Sequence, residues 1–263
     1  MVCLCTVTGG MKADYFLTAC QTIEEGSSDE SKGKPKNAEP KITLLLIERQ
    51  PGVITTRLPL QGHDCSATAY VVFRNVKVHK SMVVGKPKEG FKDTMKNFNQ
   101  VFFFFFLSSV HYVMYVMERF GIICTAVGLA KVCVEEAVKY SQSRKTFGKD
   151  LVEHQAIRHK LAEMTARTMA CHAYLENVAY RLKLNPLGYD ASLVKDVALL
   201  KVNATRTLEF CAREASHIFG GRSYVKYGRA GKIERIYRDV RALAIYGGAE
   251  EIMLDLAVKQ AKL

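Results

Sequence analysis

The chain has 263 residues, 48% of them hydrophobic, and a formal net charge of +12 from 38 Lys and Arg against 26 Asp and Glu. That length can bury one or two cores, and the apolar share excludes wholesale disorder. The positive balance suits an anionic partner, but the basic residues are scattered and lack an aromatic-basic motif, so no nucleic-acid role is read from them.

The opening stretch, MVCLCTVTGGMKADYF, has neither an apolar signal core nor an amphipathic Arg-rich presequence; it predicts a strand, a turn and a second strand, as if the chain started inside a domain. Up to about Gly90, short apolar runs alternate with turns in DYFLTACQT, KITLLLIER, GVITTRLPL and ATAYVVFRNVKV, the cadence of an antiparallel sheet. Between the first two runs, EEGSSDESKGKPKNAEPK is rich in charge, Ser, Gly and Pro and predicts a solvated loop. Eight cysteines (Cys3, Cys5, Cys20, Cys65, Cys124, Cys133, Cys171 and Cys211) show no CxxC spacing, and most sit among apolar residues. They are expected to be reduced thiols in a reducing compartment, with no metal site.

Beyond Gly90 the apolar period lengthens from two to nearly four. Phe120, Ile123, Val127, Ala130, Val134 and Ala137 form one helical stripe; Ile157, Leu161, Met164, Cys171, Leu175 and Val178 form a second; Leu193, Val197, Leu200, Ala204, Leu208 and Cys211 form a third. Asn185-Pro186-Leu187-Gly188 separates the second from the third. A last helix runs from near Lys232, breaks at Gly247-Gly248 and resumes in EEIMLDLAVKQA. The fold class expected is α+β, mainly α: a partial antiparallel β domain over 1–90, then an antiparallel four-helix bundle over 91–263.

One segment fits neither part. Val101–Met117, VFFFFFLSSVHYVMYVM, is at the short edge for a membrane span and contains Ser108, Ser109 and His111, so no integral membrane span is expected. Phe102–Phe106 would be hard to bury on one face of a core element. The segment is read as an insert of translated noncoding sequence, an expectation that abundant mature message spanning Gln100 and Glu118 with the insert in place would overturn.

Seven spaced segments share an order: TGGMKADYF, ATAYVVFRNVKV, ERFGII, SRKTFGK, EHQAIRHKLAEM, HIFGG and IYRDVRALAIYGGAEEIM. Together they resemble the acyl-CoA dehydrogenases over almost the whole chain. The resemblance implies the later part of that family's middle β domain plus its C-terminal helical bundle, with the front of the protein missing and the activity of this chain impaired on that account. It further implies FAD as cofactor, an acyl-CoA substrate, electron-transfer flavoprotein as electron acceptor and a homodimer or homotetramer. The compartment implied is the mitochondrial matrix in a eukaryote or the cytoplasm in a bacterium.

Dehydrogenation of an acyl thioester needs a base for the α proton, an acceptor for the β hydride and donors for the thioester carbonyl. Many members carry the base as a Glu near the C-terminus, where this chain has Gly247 in Tyr246-Gly247-Gly248-Ala249. Isovaleryl- and long-chain-type members carry it instead in a Glu-Arg pair, matched by Glu118-Arg119. The resemblance therefore makes Glu118 the base and assigns Arg119 and Tyr246 to the substrate; on periodicity alone Glu118 is an N-terminal helix carboxylate favoured by the macrodipole. Cofactor contacts implied by the same match are Thr8, Arg144, Thr146, Phe147, Gln155, His217, Gly220, Gly221 and Gly248. His217 stands where the family usually has Gln, Ala249 where a Thr is common, and Thr6 where an aromatic is usual. Two other readings stay open: an acyl-CoA oxidase-like flavoprotein, and a nonenzymatic fragment that dimerises without flavin.

Overall fold

A computed structural model describes residues 2–21, 42–90, 110–184 and 191–261, with side chains for 7–21, 42–90, 118–184 and 192–261. The EEGSSDESKGKPKNAEPK loop, the turn at Asn185–Gly188 and the front of the Val101–Met117 segment lie outside these residues. The chain divides into two units, Met1–Leu60 with Asp64–Phe103 and Gln61–His63 with Phe104–Leu263.

The first unit is built from β1 (Val2–Val7), β2 (Tyr15–Gln21), β3 (Ile42–Glu48), β4 (Val53–Arg57), β5 (Ala69–Phe73) and β6 (Val83–Val84). They form two antiparallel three-stranded sheets, ordered β1-β5-β4 and β2-β3-β6. Alternation along β2 buries Phe16 and Thr18 and exposes Tyr15 and Leu17, as a half-covered strand requires. Phe16 and Ile47 from one sheet pack with Ala69, Val71 and Phe73 from the other, the Phe16 and Phe73 rings meeting edge to face at 5.8 Å. Arg49 closes the turn between β1 and β2: its Nε donates to Ala13 O at 2.8 Å and its Nη2 to Gly10 O at 2.8 Å. Gly9, at φ +74°, makes this bend possible.

The second unit holds α1 (Val110–Ser143), the hairpin β7 (Lys145–Thr146) and β8 (Lys149–Asp150), α2 (Gln155–Leu184), α3 (Ala191–Phe219), α4 (Gly231–Ile245) and α5 (Glu250–Ala261). The stripes read from the sequence become its core: Ile123, Val127, Ala130 and Ala137 of α1, Met164, Cys171 and Val178 of α2, and all six α3 positions are buried together. α3 packs against α1, α2, α4 and α5. It is therefore buried on a second side as well, where Ala198 and Val202 meet Met253 and Ala257 of α5. The fold is thus α+β, an antiparallel β region followed by a multi-helix bundle whose last helix is broken in two. Cys20, Cys65, Cys124, Cys133, Cys171 and Cys211 are free thiols, and no helix among the described residues is long and apolar enough to cross a membrane.

Candidate active site

α1 begins at Val110, within the segment read as an insert, so Glu118 lies in its third turn instead of at its start. Macrodipole stabilisation fades within the first turn, which removes the electrostatic reason for an ordinary carboxylate there. Glu118 is exposed, whereas Arg119, about 100° further round the helix, is buried at 4% exposure. Arg119 turns inward because it has a partner: its Nε donates to Gly247 O at 2.9 Å. Burial pushes Arg119 down to about 10, which leaves it cationic at neutral pH.

Gly247 and Gly248 join α4 to α5 at φ +66° and +113°. A Cβ at Gly247 would stand 2.8 Å from Ile122 Cδ1, and one at Gly248 would stand 2.4 Å from Met253 Cε. Both the left-handed backbone and the lack of room call for glycine. A carboxylate at Gly247 would have to displace the α1 face carrying Arg119 and Ile122. Beneath the turn, Lys201 of α3 is wholly buried and donates through Nζ to Ala244 O and Gly248 O, each at 2.6 Å. Burial pushes Lys201 down to about 8, with Glu250 opposing and Arg119 reinforcing the shift. Glu250 and Glu251 open α5, and Glu250 pairs with Arg206 Nε at 2.9 Å.

Tyr246, 37% exposed, follows α4 and meets the His63 ring edge to face at 6.0 Å. Asp239 of α4 accepts a hydrogen bond from His63 N at 2.7 Å, and Arg238 Nη1 donates to Gln61 O at 3.2 Å. His63 Nε2 is buried with no partner. Neither Lys201 nor His63 carries a sequence signal: a lysine interrupts an apolar stripe, and a histidine in GHDCSAT belongs to no catalytic motif.

The remaining assigned residues gather at the other end of α1. Lys145–Asp150 forms a two-residue hairpin whose loop is Phe147 at φ +52° and Gly148 at φ +77°, a type I′ combination. Phe147 is 97% exposed and Arg144 is also exposed. Thr146 Oγ1 hydrogen-bonds His154 Nε2 at 2.9 Å, and exposed Gln155 opens α2 directly after. Tyr140 of α1 stacks on Phe219 of α3 at 4.2 Å, which brings Gly220 and Gly221 to this end of the bundle. Both glycines have open space where a Cβ would be, and exposed His217 lies one turn earlier, 3.9 Å from Glu214. Arg144, Thr146, Phe147, Gln155 and the glycine pair therefore share one end of the bundle, while Arg119, Tyr246 and Gly248 share the α4–α5 turn. Thr8 is exposed on the β1–β2 turn of the other unit. An open groove of about 430 Å³ between α1 and α2, lined by Lys131, Val134, Met169 and His172 among others, starts about 20 Å along α1 from Glu118 and belongs to neither group.

Comparison with known proteins places this arrangement. The family described as acyl-CoA dehydrogenase, C-terminal domain, matches residues 112–262. Acyl-CoA dehydrogenase AFT10-1 of Alternaria alternata is 31% identical over 258 residues, covering 97% of this chain and 53% of that protein. Subunit CarC of the caffeyl-CoA reductase-Etf complex of Acetobacterium woodii is 29% identical over 187 residues, 71% of this chain and 42% of its own. The crystal structure of a probable acyl-CoA dehydrogenase from Mycobacterium abscessus superposes with a TM-score of 0.76 at 31% identity, covering 98% of this chain and 60% of that one. The chain thus spans about half the length of the curated relatives it matches. On a match that takes in α1 almost entirely and every helix after it, the chain belongs to the acyl-CoA dehydrogenase family.

Proposed function

We propose that the chain serves FAD-dependent α,β-dehydrogenation of a saturated acyl-CoA to the trans-2-enoyl-CoA, with Glu118 as the base. The observation that carries this reading is the pairing at the α4–α5 turn. Gly247 leaves no carboxylate there, and Arg119, the neighbour of Glu118, is bonded to that same Gly247. Glu118 stays exposed on α1, positioned by Arg119, and takes the α proton.

The residues at the far end of α1 fit a dinucleotide. Arg144 offers planar charged donors for a pyrophosphate, Thr146 and Gln155 offer hydrogen bonds, and Gly220 and Gly221 leave their backbone approachable. Phe147 gives an apolar face to the adenosine side; Thr8, His217 and Gly248 complete the set by resemblance. When bound, FAD supplies the acceptor for the β hydride. Arg119 and Tyr246 border the substrate. The CarC relative, named for an Etf complex, supports electron-transfer flavoprotein as the redox partner. Its name also describes a reduction, in which the same Glu118 would return the proton to the α carbon. A homodimer or homotetramer, in the matrix of a mitochondrion or the cytoplasm of a bacterium, is part of the proposal.

The test is an anaerobic absorbance spectrum of the chain supplied with FAD, before and after short, branched and long acyl-CoAs. Bleaching that is lost in Glu118→Gln is expected; bleaching that persists in that variant removes Glu118 from the role. Failure to take up flavin would favour the nonenzymatic reading, and rapid reoxidation by oxygen the oxidase-like one.

A further inference from the structure

Lys201 has the largest side chain that is fully buried among the described residues. Taking an ammonium out of water costs several kcal/mol unless strong hydrogen bonds offset it. Val194, Ala198 and Val202 of α3 are buried around it, so an apolar residue would fill the position without that cost. What Lys201 adds is its pair of donors. Ala244 O, in the last turn of α4, is left over by the helix ladder, and Gly248 O lies in the turn beyond; Nζ reaches both at 2.6 Å.

The carbonyl between them in the chain, Gly247 O, is taken by Arg119 Nε at 2.9 Å. Successive carbonyls of a diglycine turn are thus held by cations from two different helices, Gly247 O from α1 and Gly248 O from α3. Gly247 and Gly248 carry no side chains of their own to anchor the turn, and glycine moves between left-handed and other conformations at little cost. The two cations add a directional restraint on the carbonyls that the packing of Ile122 and Met253 against the glycines does not supply. A neutral amine keeps two N–H groups for two carbonyls, so the arrangement survives deprotonation of Lys201.

We propose that Lys201 is a positioning residue of the active site: with Arg119 it clamps the Gly247–Gly248 turn between α3 and α1, and so fixes the turn of α1 that carries Glu118. Its consequence for catalysis rests on the reading of Glu118 as the base.

Two readouts on the flavin-loaded chain test it, using Lys201→Met, which keeps an apolar stem and removes the donors. Amide hydrogen exchange over Tyr246–Met253 is expected to rise about tenfold or more while Met164–Val178 in the α2 core is unchanged, as for a local opening. The limiting rate of anaerobic flavin reduction by acyl-CoA is expected to fall about tenfold or more with little change in acyl-CoA affinity, the mark of lost orientation. Exchange that rises evenly across the bundle, or not at all, overturns the proposal, as does a local rise with an unchanged reduction rate. If the unaltered chain is reduced by no acyl-CoA, the dehydrogenase reading falls by itself, and exchange alone then decides the clamp. Should Lys201→Met not fold, Lys201→Gln, with an amide donor on a shorter stem, is measured the same way, with the same results upholding or overturning the proposal.

Discussion

Phe147 sits at φ +52° in a hairpin loop where Asn followed by Gly is the low-cost choice, and a bulky residue in that conformation costs about 1 kcal/mol. At 97% exposure the ring gains little packing in return. An exposed ring in that conformation suits the contact proposed for it on the adenosine side of FAD. Phe147→Asn should raise the melting temperature of the flavin-free chain by a few degrees, equivalent to about 0.5–1 kcal/mol, and weaken FAD binding about tenfold in a titration of flavin fluorescence. Lys201 gives a second prediction. Its ammonium, ordinarily near 10.5, is held down to about 8 by burial. Between those values the unfolded chain binds the proton and the folded chain does not, so folding stability rises with pH across the window. Relative to Lys201→Met, the native chain should gain up to about 3 kcal/mol from pH 8 to 10.5, read as a widening gap in melting temperature. At this scale the sequence offered candidate residues for the proposed chemistry but not how they are held. Glu118-Arg119 is visible as a pair, yet only packing shows that Arg119 faces inward onto Gly247. Lys201 and His63 escaped because their significance lies in tertiary partners, two carbonyls for one and Asp239 with Tyr246 for the other.

Among the elements, the long helices were the most legible, since the apolar stripes at 3.6-residue spacing map directly onto the bundle core. The second buried side of α3 was not: Lys201 lies among Ala198, Val202 and Thr205 and disguises the run as a solvated face. Nothing in the periodicity marks SRKTFGK as a β-hairpin; its Phe147-Gly148 backbone shows it. α5 depends on the hidden side of α3, through Met253 packed with Ala198 and Val202. Met253 is fully buried and lies against Gly248. Met253→Ala should therefore cost about 2–4 kcal/mol in denaturant melts, with hydrogen exchange increasing in α5 and the turn before it ahead of the rest of the bundle.

For the whole molecule, the net charge of +12 would make the proposed binding of the coenzyme A phosphates depend on ionic strength. Acyl-CoA binding by calorimetry should weaken several-fold between about 50 and 300 mM salt, because screening lengths shrink below 10 Å over that range. The succession of a sheet region and a helical region was readable from the change of period near Gly90, and the two units of the structure each have their own core. The start of α1 was not readable: Val110–Met117 looks foreign by composition yet is helical and continuous with the turn carrying Glu118. The clamp beneath that helix has a chemical side effect. A lysine held near pKa 8 is in large part a free amine at mildly alkaline pH, and a free amine attacks a thioester carbonyl, forming an amide and releasing the thiol of coenzyme A. The burial that frees the amine also shuts out the class of compound the chain is proposed to process, and opening of the turn, which would admit it, returns Lys201 toward its ordinary 10.5 and slows acylation. Acyl adducts at Lys201 in peptide mass maps, accumulating with time in acyl-CoA, would mark the molecules whose α4–α5 turn has opened, and the folded population should carry none.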